Sequence, residues 1–273
     1  MSASSPHADC GLIYAASSPA YVAEAEASRR SARRHMPGIP ATLFSPAGMT
    51  SPEFEGHIAL RATSQDFCGK FESYGRTPYA RTLFVDGDTH FCAPVLEIFD
   101  LLERFDFAAA HAPGRFTGEL CGVPGSFCEF NTGIVAYRKG PLLDAVWAEA
   151  LAQYKEGMTR GEWCDQPYLK AALYRSADRV RIATLPPEYN CRIEYPGTVK
   201  GPVKILHGRP RDFAVIEAEV NASDDFRSFL VERGYFRMVG RPLNRKARML
   251  SHPQGGFGSF LRKVKNRLSP GAR

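Results

Sequence analysis

Residues 83–91 read LFVDGDTHF, and this stretch decides the fold that the sequence predicts. The apolar run at 82–85 includes two β-branched residues, a pattern typical of a strand that helices cover on both faces. The run ends at Asp86, Gly87 and Asp88, and in an open α/β sheet ligands bind beyond the carboxyl ends of the strands. The sequence therefore predicts a buried strand that presents two carboxylates at the ligand-binding edge of a sheet.

The segments on either side of this strand predict alternating strands and helices. A strand at 11–15, a helix at 21–35 and a strand at 41–44 form a β-α-β unit, which implies a parallel sheet. Further strands are predicted at 107–110, 132–137, 180–184 and 203–206, and further helices at 94–105, 142–154 and 166–174. The predicted fold class is α/β, with a Rossmann-like mixed, mostly parallel sheet flanked by helices.

A stretch of twenty residues, 111–130, has no periodic pattern and contains four glycines, two prolines and two cysteines. A loop of that length inside a compact domain is usually functional. We expect it to be a lid that closes over a bound ligand and excludes water from it.

Charge divides the chain into an acidic body and a basic tail. Residues 233–273 hold eleven Lys or Arg and no Asp or Glu, whereas the first 232 residues hold 24 basic and 29 acidic side chains. The tail alone therefore explains why the whole chain has a net charge of +6.

The charge pattern and the helix signals predict three regions. We expect a flexible N-terminus at 1–9, one main domain at 10–215 and a helical C-terminal region at 216–273. In the last region apolar residues recur at helical spacing with basic residues between them, namely Phe257, Phe260, Leu261, Val264 and Leu268. This pattern predicts a short basic amphipathic helix on an anionic membrane surface. A helix docked on the acidic body and a frayed terminus are the alternatives.

The sequence shows no segment with the features that direct a chain into or across a membrane. No stretch approaches the ~20 consecutive apolar residues of a membrane span, and the first ten residues lack the features of a secretory signal. We therefore expect a cytoplasmic protein, peripheral at the inner membrane face through its tail. The seven cysteines include no C-x-x-C, which argues against a disulfide framework and a zinc ribbon.

Asp86 and Asp88 are the strongest candidate ligands in the sequence. Two carboxylates one residue apart at the end of a buried strand direct several hard oxygens to one point, which suits Mg²⁺ or Mn²⁺ better than Zn²⁺. Gly87 between them allows a tight turn and leaves room for a ligand. A solvated Asp-Gly turn is the alternative interpretation of the same residues.

Three further strings resemble those of one enzyme family. Residues 130–138 read FNTGIVAYR, residues 164–169 read CDQPYL, and His207-Gly208 follows a predicted strand. Together with the D-x-D pair, these strings resemble the GT-A nucleotide-sugar glycosyltransferases, particularly the retaining group that includes glycogenin and bacterial lipopolysaccharide galactosyl- and glucosyltransferases. The resemblance runs from about residue 10 to residue 210 and implies a GT-A type fold.

The resemblance assigns a role to each matching position. Asp86, Asp88 and His207 would bind a divalent cation, Mn²⁺ or Mg²⁺, and through it the donor diphosphate. The nucleobase pocket would comprise Ala15, Ala16, Ser17 and Tyr21, and other parts of the donor would contact Lys70, Asn131, Thr132 and Gly208. Asp165 and Gln166 match a pair that faces the sugar and the acceptor, and they are the catalytic candidates.

Four of these positions also have a purely structural interpretation. Asn131 would cap a turn and Asp165 would cap a helix. Tyr21 would belong to the core, and Lys70 would be a solvated cation. The sequence alone leaves both interpretations open for each residue.

The resemblance also implies an activity. It is the metal-dependent transfer of a hexose from a nucleoside diphosphate sugar, with UDP as the expected nucleotide, to a hydroxyl of a saccharide or glycolipid, with retention of configuration. Two positions depart from the family pattern. Arg209 stands where a lysine near the phosphates is usual, and residues 17–19 read SSP where an acidic residue is common.

Two other functions stay open at this point. The string VDGDT at 85–89 also fits the haloacid-dehalogenase-type phosphatases, in which Asp86 would be the nucleophile and Asp88 the general acid. That motif normally follows the first strand, whereas here a β-α-β unit precedes it. The second alternative is a non-catalytic nucleotide-sugar or membrane-surface binding module. Nucleic acid is not an expected partner, because the tail has no recognisable motif and its two Phe residues make no stacking platform.

Overall fold

The computed structural model describes residues 7–61, 67–114, 122–232 and 235–239. Residues 1–6 of the expected flexible N-terminus, the expected basic tail helix and the middle of loop 111–130 lie outside these ranges. The strands are β1 Cys10–Ala15, β2 Ala41–Ser45, β3 Gly56–Ala59, β4 Arg81–Val85, β5 Thr89–Phe91, β6 Phe107–His111, β7 Phe130–Arg138, β8 Ile182–Thr184, β9 Cys191–Arg192, β10 Gly197–Val199, β11 Ile205–His207, β12 Arg227–Glu232 and β13 Tyr235–Val239. The α-helices are α1 Pro19–His35, α2 Cys68–Gly75, α3 Glu97–Leu101, α4 Pro141–Thr159, α5 Gln166–Arg175 and α6 Phe213–Val220.

Seven strands form the central sheet, in the order β3-β2-β1-β4-β7-β6-β8. The pairings among β3, β2, β1 and β4 and between β6 and β8 are parallel, and both pairings of β7 are antiparallel. The mostly parallel α/β sheet that the sequence predicts is confirmed, with β4 at its centre. Because β7 runs antiparallel to β4, the first residues of β7 lie beside the last residues of β4.

Side chains of β4 alternate between two hydrophobic clusters, one on each face of the sheet. Leu83 and Val85 pack in the cluster that α1 and α3 cover, and Phe84 packs in the cluster that α2, α4 and α5 cover. All three side chains are fully buried. The two-sided burial predicted for residues 82–85 is therefore confirmed, and it fixes the strand from which the acidic motif emerges.

Two small three-stranded sheets complete the fold, in the orders β5-β11-β9 and β10-β12-β13. Helix α1 anchors the first of them through short hydroxyl side chains. Ser28 Oγ lies 2.6 Å from Thr89 Oγ1, and Ser31 Oγ accepts the backbone N–H of Phe91 at 2.9 Å. These bonds hold β5, and therefore the chain that leaves Asp88, against α1.

Two predicted elements differ from the observed ones. The helix predicted at 94–105 is only the five-residue α3, although the apolar residues that predicted it are buried. A helical region is expected at 216–273, of which 216–232 and 235–239 are described. Helix α6 ends at Val220, and the prediction is wrong for β12 and β13, which form an antiparallel pair. Strand β12 also pairs with β10 and buries Phe229. This stabilisation comes from contacts that are distant in sequence, so local helix propensity cannot predict it.

The described helices include none that is long and apolar enough to cross a membrane.

A buried arginine joins α1 to the edge of the central sheet. The Arg29 side chain is fully buried, and its Nη2 donates to both Glu55 carboxylate oxygens at 3.0 and 3.1 Å and to the Ile39 carbonyl at 3.0 Å. Burial opposes the ionised form of Glu55, but the N–H of Ala41 and the charge of Arg29 outweigh it and lower the pKa of that carboxyl. Glu55 is therefore ionised at neutral pH and gives the buried Arg29 a negatively charged partner.

We predict that Glu55→Gln lowers the free energy of unfolding by about 1–2 kcal/mol at pH 7, because it leaves Arg29 without a carboxylate. The loss is smaller than for a fully buried pair, since the Glu55 side chain is 46% exposed. The difference is fully present above the ordinary pKa of 4.5 and shrinks as the pH falls through the lowered folded-state pKa. Urea unfolding at pH 7 and pH 3.5 measures both effects.

The matched control is Glu156→Gln, which breaks the exposed pair between Glu156 and Arg160. We expect that change to cost less than about 0.5 kcal/mol at either pH. Equal losses in the two variants would show that the Arg29 pair has no special importance.

Candidate metal centre and donor cavity

Asp86, Asp88 and His207 come together at the carboxyl end of β4. The two aspartates lie in the turn between β4 and β5, and the antiparallel register of β5 with β11 places His207 opposite Thr89. His207 Nε2 lies 3.8 Å from Asp86 Oδ2 and 3.4 Å from Asp88 Oδ1, and one ligand atom from each residue lies within 4.8 Å of the others. Two carboxylates and an imidazole at these distances could hold one divalent cation.

Gly133, from the FNTG string, allows this convergence. Its carbonyl accepts the N–H of Asp86 at 2.8 Å, which continues the β4-β7 pairing to the acidic motif. A Cβ on Gly133 would lie 2.0 Å from His207 Cε1 and 2.8 Å from Asp86 Oδ2. Only a residue without a side chain therefore fits between β7 and the imidazole.

A chain of side-chain hydrogen bonds sets the orientation of His207. His207 Nδ1 lies 2.7 Å from Asn190 Oδ1, and Asn190 Nδ2 donates to Asn131 Oδ1 at 2.8 Å. Asn131 Nδ2 donates to Gln166 Oε1 at 2.8 Å. Since the Asn190 amide turns its oxygen toward His207, Nδ1 carries a proton, and Nε2 is the ring nitrogen that faces the two aspartates.

The same chain holds the candidate catalytic amide. Gln166 Nε2 donates to Glu129 Oε1 at 3.1 Å, so both ends of the Gln166 amide are bonded. Asn131 also accepts the N–H of Gly133 at 3.1 Å, as a local turn cap would. Asn131 therefore makes the hydrogen bond expected of a turn cap, and it also links Gln166 to Asn190.

Lys70, on α2, is a buried cation at the centre of the carboxylates. Its Nζ lies 2.9 Å from Asp86 Oδ1 and 3.8 Å from Asp165 Oδ2, and it donates to Thr132 Oγ1 at 3.3 Å. Burial disfavours its charge, but Asp86 and Asp165 more than offset this and raise the pKa of Lys70. The side chain is 8% exposed, so the interpretation of Lys70 as a solvated cation is wrong.

Asp165 is buried beside Lys70 at the start of α5. Its side chain makes no capping hydrogen bond to the helix, in contrast to its structural interpretation. Burial raises the pKa of Asp165, and the charge of Lys70 opposes this rise. Lys70 therefore supplies the electrostatic compensation that this carboxylate needs in the interior.

Arg209, which follows Gly208, is a second cation at the site. Its Nη1 lies 3.0 Å from Asp88 Oδ2, and its Nε and Nη2 donate to Glu24 at 2.8 and 3.0 Å. Burial raises the pKa of Asp88, but the hydrogen bond and charge of His207 and the charge of Arg209 outweigh it and lower that pKa well below its ordinary value. Asp88 is therefore an ionised acceptor at neutral pH.

A cavity of about 330 Å³ opens onto these groups. Eight of the residues that the resemblance assigns line it, namely Ala15, Ala16, Ser17, Tyr21, Lys70, Asp86, Asp88 and His207. Tyr21 is 44% exposed, so it is not a core residue. The other five assigned residues do not line this cavity. Thr132 and Asp165 contact Lys70, and the N–H of Gly208 donates to the Asp88 carbonyl. Gln166 and Asn131 connect to His207 through Asn190.

Several polar residues of the site carry no signal in the sequence. Glu24 and Asn190 hold Arg209 and His207, and Arg192 and Glu194 line the cavity and bond to each other at 2.8 Å. Asn190 and the two residues near it lie in a segment with no periodic pattern. Only the pairing of β9 with β11, which sets Arg192 beside His207, brings them to the site.

A second cavity of about 430 Å³ adjoins the first, and Arg192 lines both. Its wall is largely apolar and includes Pro113, Pro186, Pro187 and Phe229, with His111 and Asn190 among its polar groups. His111 at the end of β6 and Phe229 on β12 therefore line one cavity. Asn190, which is hydrogen-bonded to His207, also lines it.

We predict that Gly133→Ala destabilises the protein by about 1–3 kcal/mol, because the new methyl group would overlap the His207 ring. Chemical unfolding of the purified variant measures the loss. Gly38→Ala is the matched control, since a Cβ at Gly38 would meet no atom within 4 Å. A loss no larger than that of the control would contradict the close packing described above.

Comparisons with known proteins agree with this architecture. The structure matches that of the glycosyltransferase GlyE from Streptococcus pneumoniae TIGR4 with a TM-score of 0.54 and 16% identity, over 74% of this chain and 55% of that chain. It matches the galactosyltransferase LgtC, solved in complex with donor and acceptor sugar analogs, with a TM-score of 0.53 and 12% identity, over 77% of this chain and 93% of that chain. The present chain thus covers little more than half of GlyE.

No protein-family profile matches the sequence, and no curated protein matches it significantly. Likeness at 12–16% identity concerns the fold, and the mostly parallel sheet with its flanking helices is common to all three chains. The chain therefore has the GT-A glycosyltransferase fold that the sequence motifs imply.

Proposed function

We propose that the protein is a metal-dependent glycosyltransferase that moves a hexosyl group from a nucleoside diphosphate sugar to an acceptor hydroxyl. The observation that carries this proposal is the convergence of Asp86, Asp88 and His207 on one cavity at the carboxyl end of β4. The fold shared with two solved glycosyltransferases supports it.

The donor set fits a divalent cation. The hydrogen bond from His207 Nδ1 to Asn190 leaves Nε2 free to bind metal, and the two carboxylates supply hard oxygens. Mn²⁺ suits this mixed set, and Mg²⁺ suits its oxygens. When bound, the cation supplies Lewis-acid stabilisation of the departing diphosphate.

Two protein cations would assist the departure of the diphosphate. Lys70 lies 2.9 Å from Asp86, and Arg209 lies 3.0 Å from Asp88, so each carboxylate of the motif has a positive partner at the cavity. Both charges are held in place by these ion pairs before a donor binds. In the proposed reaction they would stabilise the negative charge that develops on the leaving group. Arg209 would take the place of the lysine that the family has near the phosphates.

The remaining walls of the two cavities suggest where the substrates bind. We assign the nucleobase, with uracil as the expected base, to the part of the first cavity that Ala15, Ala16, Ser17 and Tyr21 line. From the resemblance, we assign the donor sugar to the side of that cavity nearest Asn131 and Thr132. The second cavity, which shares Arg192, would take a saccharide or glycolipid acceptor. Asp165 and Gln166 would face the sugar between them, and transfer with retention is proposed from the resemblance alone.

The location of the reaction is proposed from the sequence. The eleven positive charges of the tail, residues 233–273, are suited to an anionic membrane surface, and a glycolipid acceptor would be found there. We propose a cytoplasmic protein that binds the inner membrane face through this tail.

The two alternative functions are not favoured. In a haloacid-dehalogenase-type phosphatase the D-x-D motif follows the first strand, whereas here β1, β2 and β3 precede β4. A non-catalytic module would not need the buried Lys70 and the bonded Gln166 in addition to a metal-binding set. The two solved structures described above are glycosyltransferases.

We predict that UDP stabilises the protein only when Mn²⁺ is present. Ligand at 100 times its Kd adds about 2.7 kcal/mol, which raises Tm by several degrees. Thermal-shift measurements with UDP, other nucleoside diphosphates and UDP-sugars, each with and without Mn²⁺, test this. No response to any nucleotide, together with hydrolysis of a generic phosphate ester, would favour the phosphatase.

The matched variants for this experiment are Asp88→Asn and Asp178→Asn. Asp88→Asn removes a ligand charge and should abolish the metal-dependent shift. Asp178 is an exposed aspartate paired with Arg179, and its replacement should leave the shift unchanged. Equal responses of the two variants would show that the nucleotide binds elsewhere.

We predict that Asn190→Leu weakens Mn²⁺ binding in the presence of UDP by about 10–100-fold, because the tautomer of His207 is no longer fixed. Asn221→Leu is the matched control. Asn221 accepts from and donates to Val203 at 2.8 and 3.1 Å, so its replacement also removes two hydrogen bonds, but not at the site. Isothermal titration measures the affinity. A similar loss of Mn²⁺ affinity in both variants would show that Asn190 has only a structural role.

A further inference from the structure

A second group of metal-ligating side chains lies outside the donor cavity. It consists of His90, Cys92 and Glu217, and one ligand atom from each lies within 4.8 Å of the others. His90 Nε2 is 3.1 Å from Glu217 Oε2. None of the three residues is used in the proposed glycosyl transfer.

The strand and the helix that carry these residues explain why they meet. His90 and Cys92 are two positions apart on β5 and the residue after it, so both side chains project from the same face of the strand. The opposite face is occupied, because Thr89 and Phe91 are buried toward α1. Helix α6 covers the free face, and Glu217 projects from it.

The imidazole is held in one orientation before any ion binds. Its ring stacks on Phe213, with centroids 5.1 Å apart and an angle of 14° between the planes. Phe213 and Glu217 are four residues apart on α6 and therefore share one side of the helix. Phe213 thus fixes the plane of the His90 ring, while Glu217 fixes the direction of its Nε2.

The chemistry of this group differs from that of the D-x-D site. A nitrogen, a sulfur and a carboxylate oxygen form a borderline-soft set, which favours Zn²⁺ over Mg²⁺ or Mn²⁺. Three protein ligands leave the fourth tetrahedral position to water. The side chains of His90 and Glu217 are 17% and 35% exposed, so an ion can reach them from solvent.

We propose that His90, Cys92 and Glu217 form a Zn²⁺ site that is separate from the cation site at Asp86, Asp88 and His207. The bound ion joins α6 to β5. Because β5 begins one residue after Asp88 and pairs with the strand of His207, the ion stabilises the arrangement of the D-x-D site without touching it. The ligand thiol gives up its proton when the ion binds.

The simpler alternative is a hydrogen-bonded pair of His90 and Glu217 with Cys92 as an ordinary half-buried thiol. The two possibilities differ in the role of the sulfur. Only a metal site places the thiolate of Cys92 on an ion.

Cobalt substitution in the full-length, metal-free protein distinguishes them. Co²⁺ bound to a thiolate gives a sulfur-to-metal charge-transfer absorption in the near ultraviolet. We expect this absorption in the wild-type protein, its loss when Zn²⁺ is added, and its absence in Cys92→Ser. We also expect Zn²⁺ binding at least about tenfold weaker in Glu217→Gln, measured by competition with a chromophoric chelator.

Two controls make the result specific. Cys128→Ser removes a thiol outside the group and should keep the absorption, and Asp86→Asn should keep it because the second site does not use that carboxylate. Circular dichroism checks that each variant is folded, and Glu217→Gln provides a test that leaves the thiol in place. An absorption that persists in Cys92→Ser, or Zn²⁺ affinity equal in the wild type and both site variants, overturns the proposal. Both readouts are taken without nucleotide, so a negative result here leaves the separate UDP test of the proposed function unaffected.

Discussion

The close approach of the His207 ring to Gly133 is the constraint on which the candidate site depends. It brings together three parts of the chain, the turn after β4, the start of β7 and the end of β11. A methyl group at Gly133 would overlap both His207 and Asp86, so the distance between the strands is set by the absence of a side chain. The hydrogen bond from Asp86 N–H to the Gly133 carbonyl then holds the acidic turn at that distance. The distances among Asp86, Gly133 and His207 are thus set by how the strands pair and pack.

Charge compensation is the second requirement of this arrangement. Asp86, Asp88 and Asp165 are carboxylates in or beside the interior, and without positive partners they would repel one another and lose hydration. Lys70 lies between Asp86 and Asp165, and Arg209 contacts Asp88. Because Arg209 also donates to Glu24, it keeps a carboxylate partner when Asp88 binds a cation. The site can therefore gain an ion without leaving the Arg209 guanidinium unpaired.

The sequence predicts the parts of the fold that local pattern encodes. Strands β1, β2, β4, β6, β7, β8 and β11 and helices α1, α4 and α5 follow from apolar runs, helix formers and breakers, and the D-x-D pair with His207 follows from motif strings. The strands β3, β5, β9 and β10 have two to four residues, and they exist only because a distant strand pairs with them. No local periodicity can reveal such pairing. For this reason the sequence gives no signal for Arg192, in β9, or for Asn190, just before it, although both contribute to the site.

The same limit applies to the second cavity, which we propose as the acceptor site. One wall of the second cavity is Phe229, on the strand β12 that local propensity predicts as helix. Phe229 reaches this position because β12 pairs with β10 and its ring packs where a Cβ on Gly197 would lie, 2.6 Å from Cζ. The proposed donor side of the site is built on the central sheet, a fold that two solved glycosyltransferases share at 12–16% identity. The proposed acceptor side is built from short strands whose pairing is non-local, so substitutions there can change the cavity and leave the sheet intact. Specificity for the acceptor should therefore diverge faster between proteins of this fold than the cation site does.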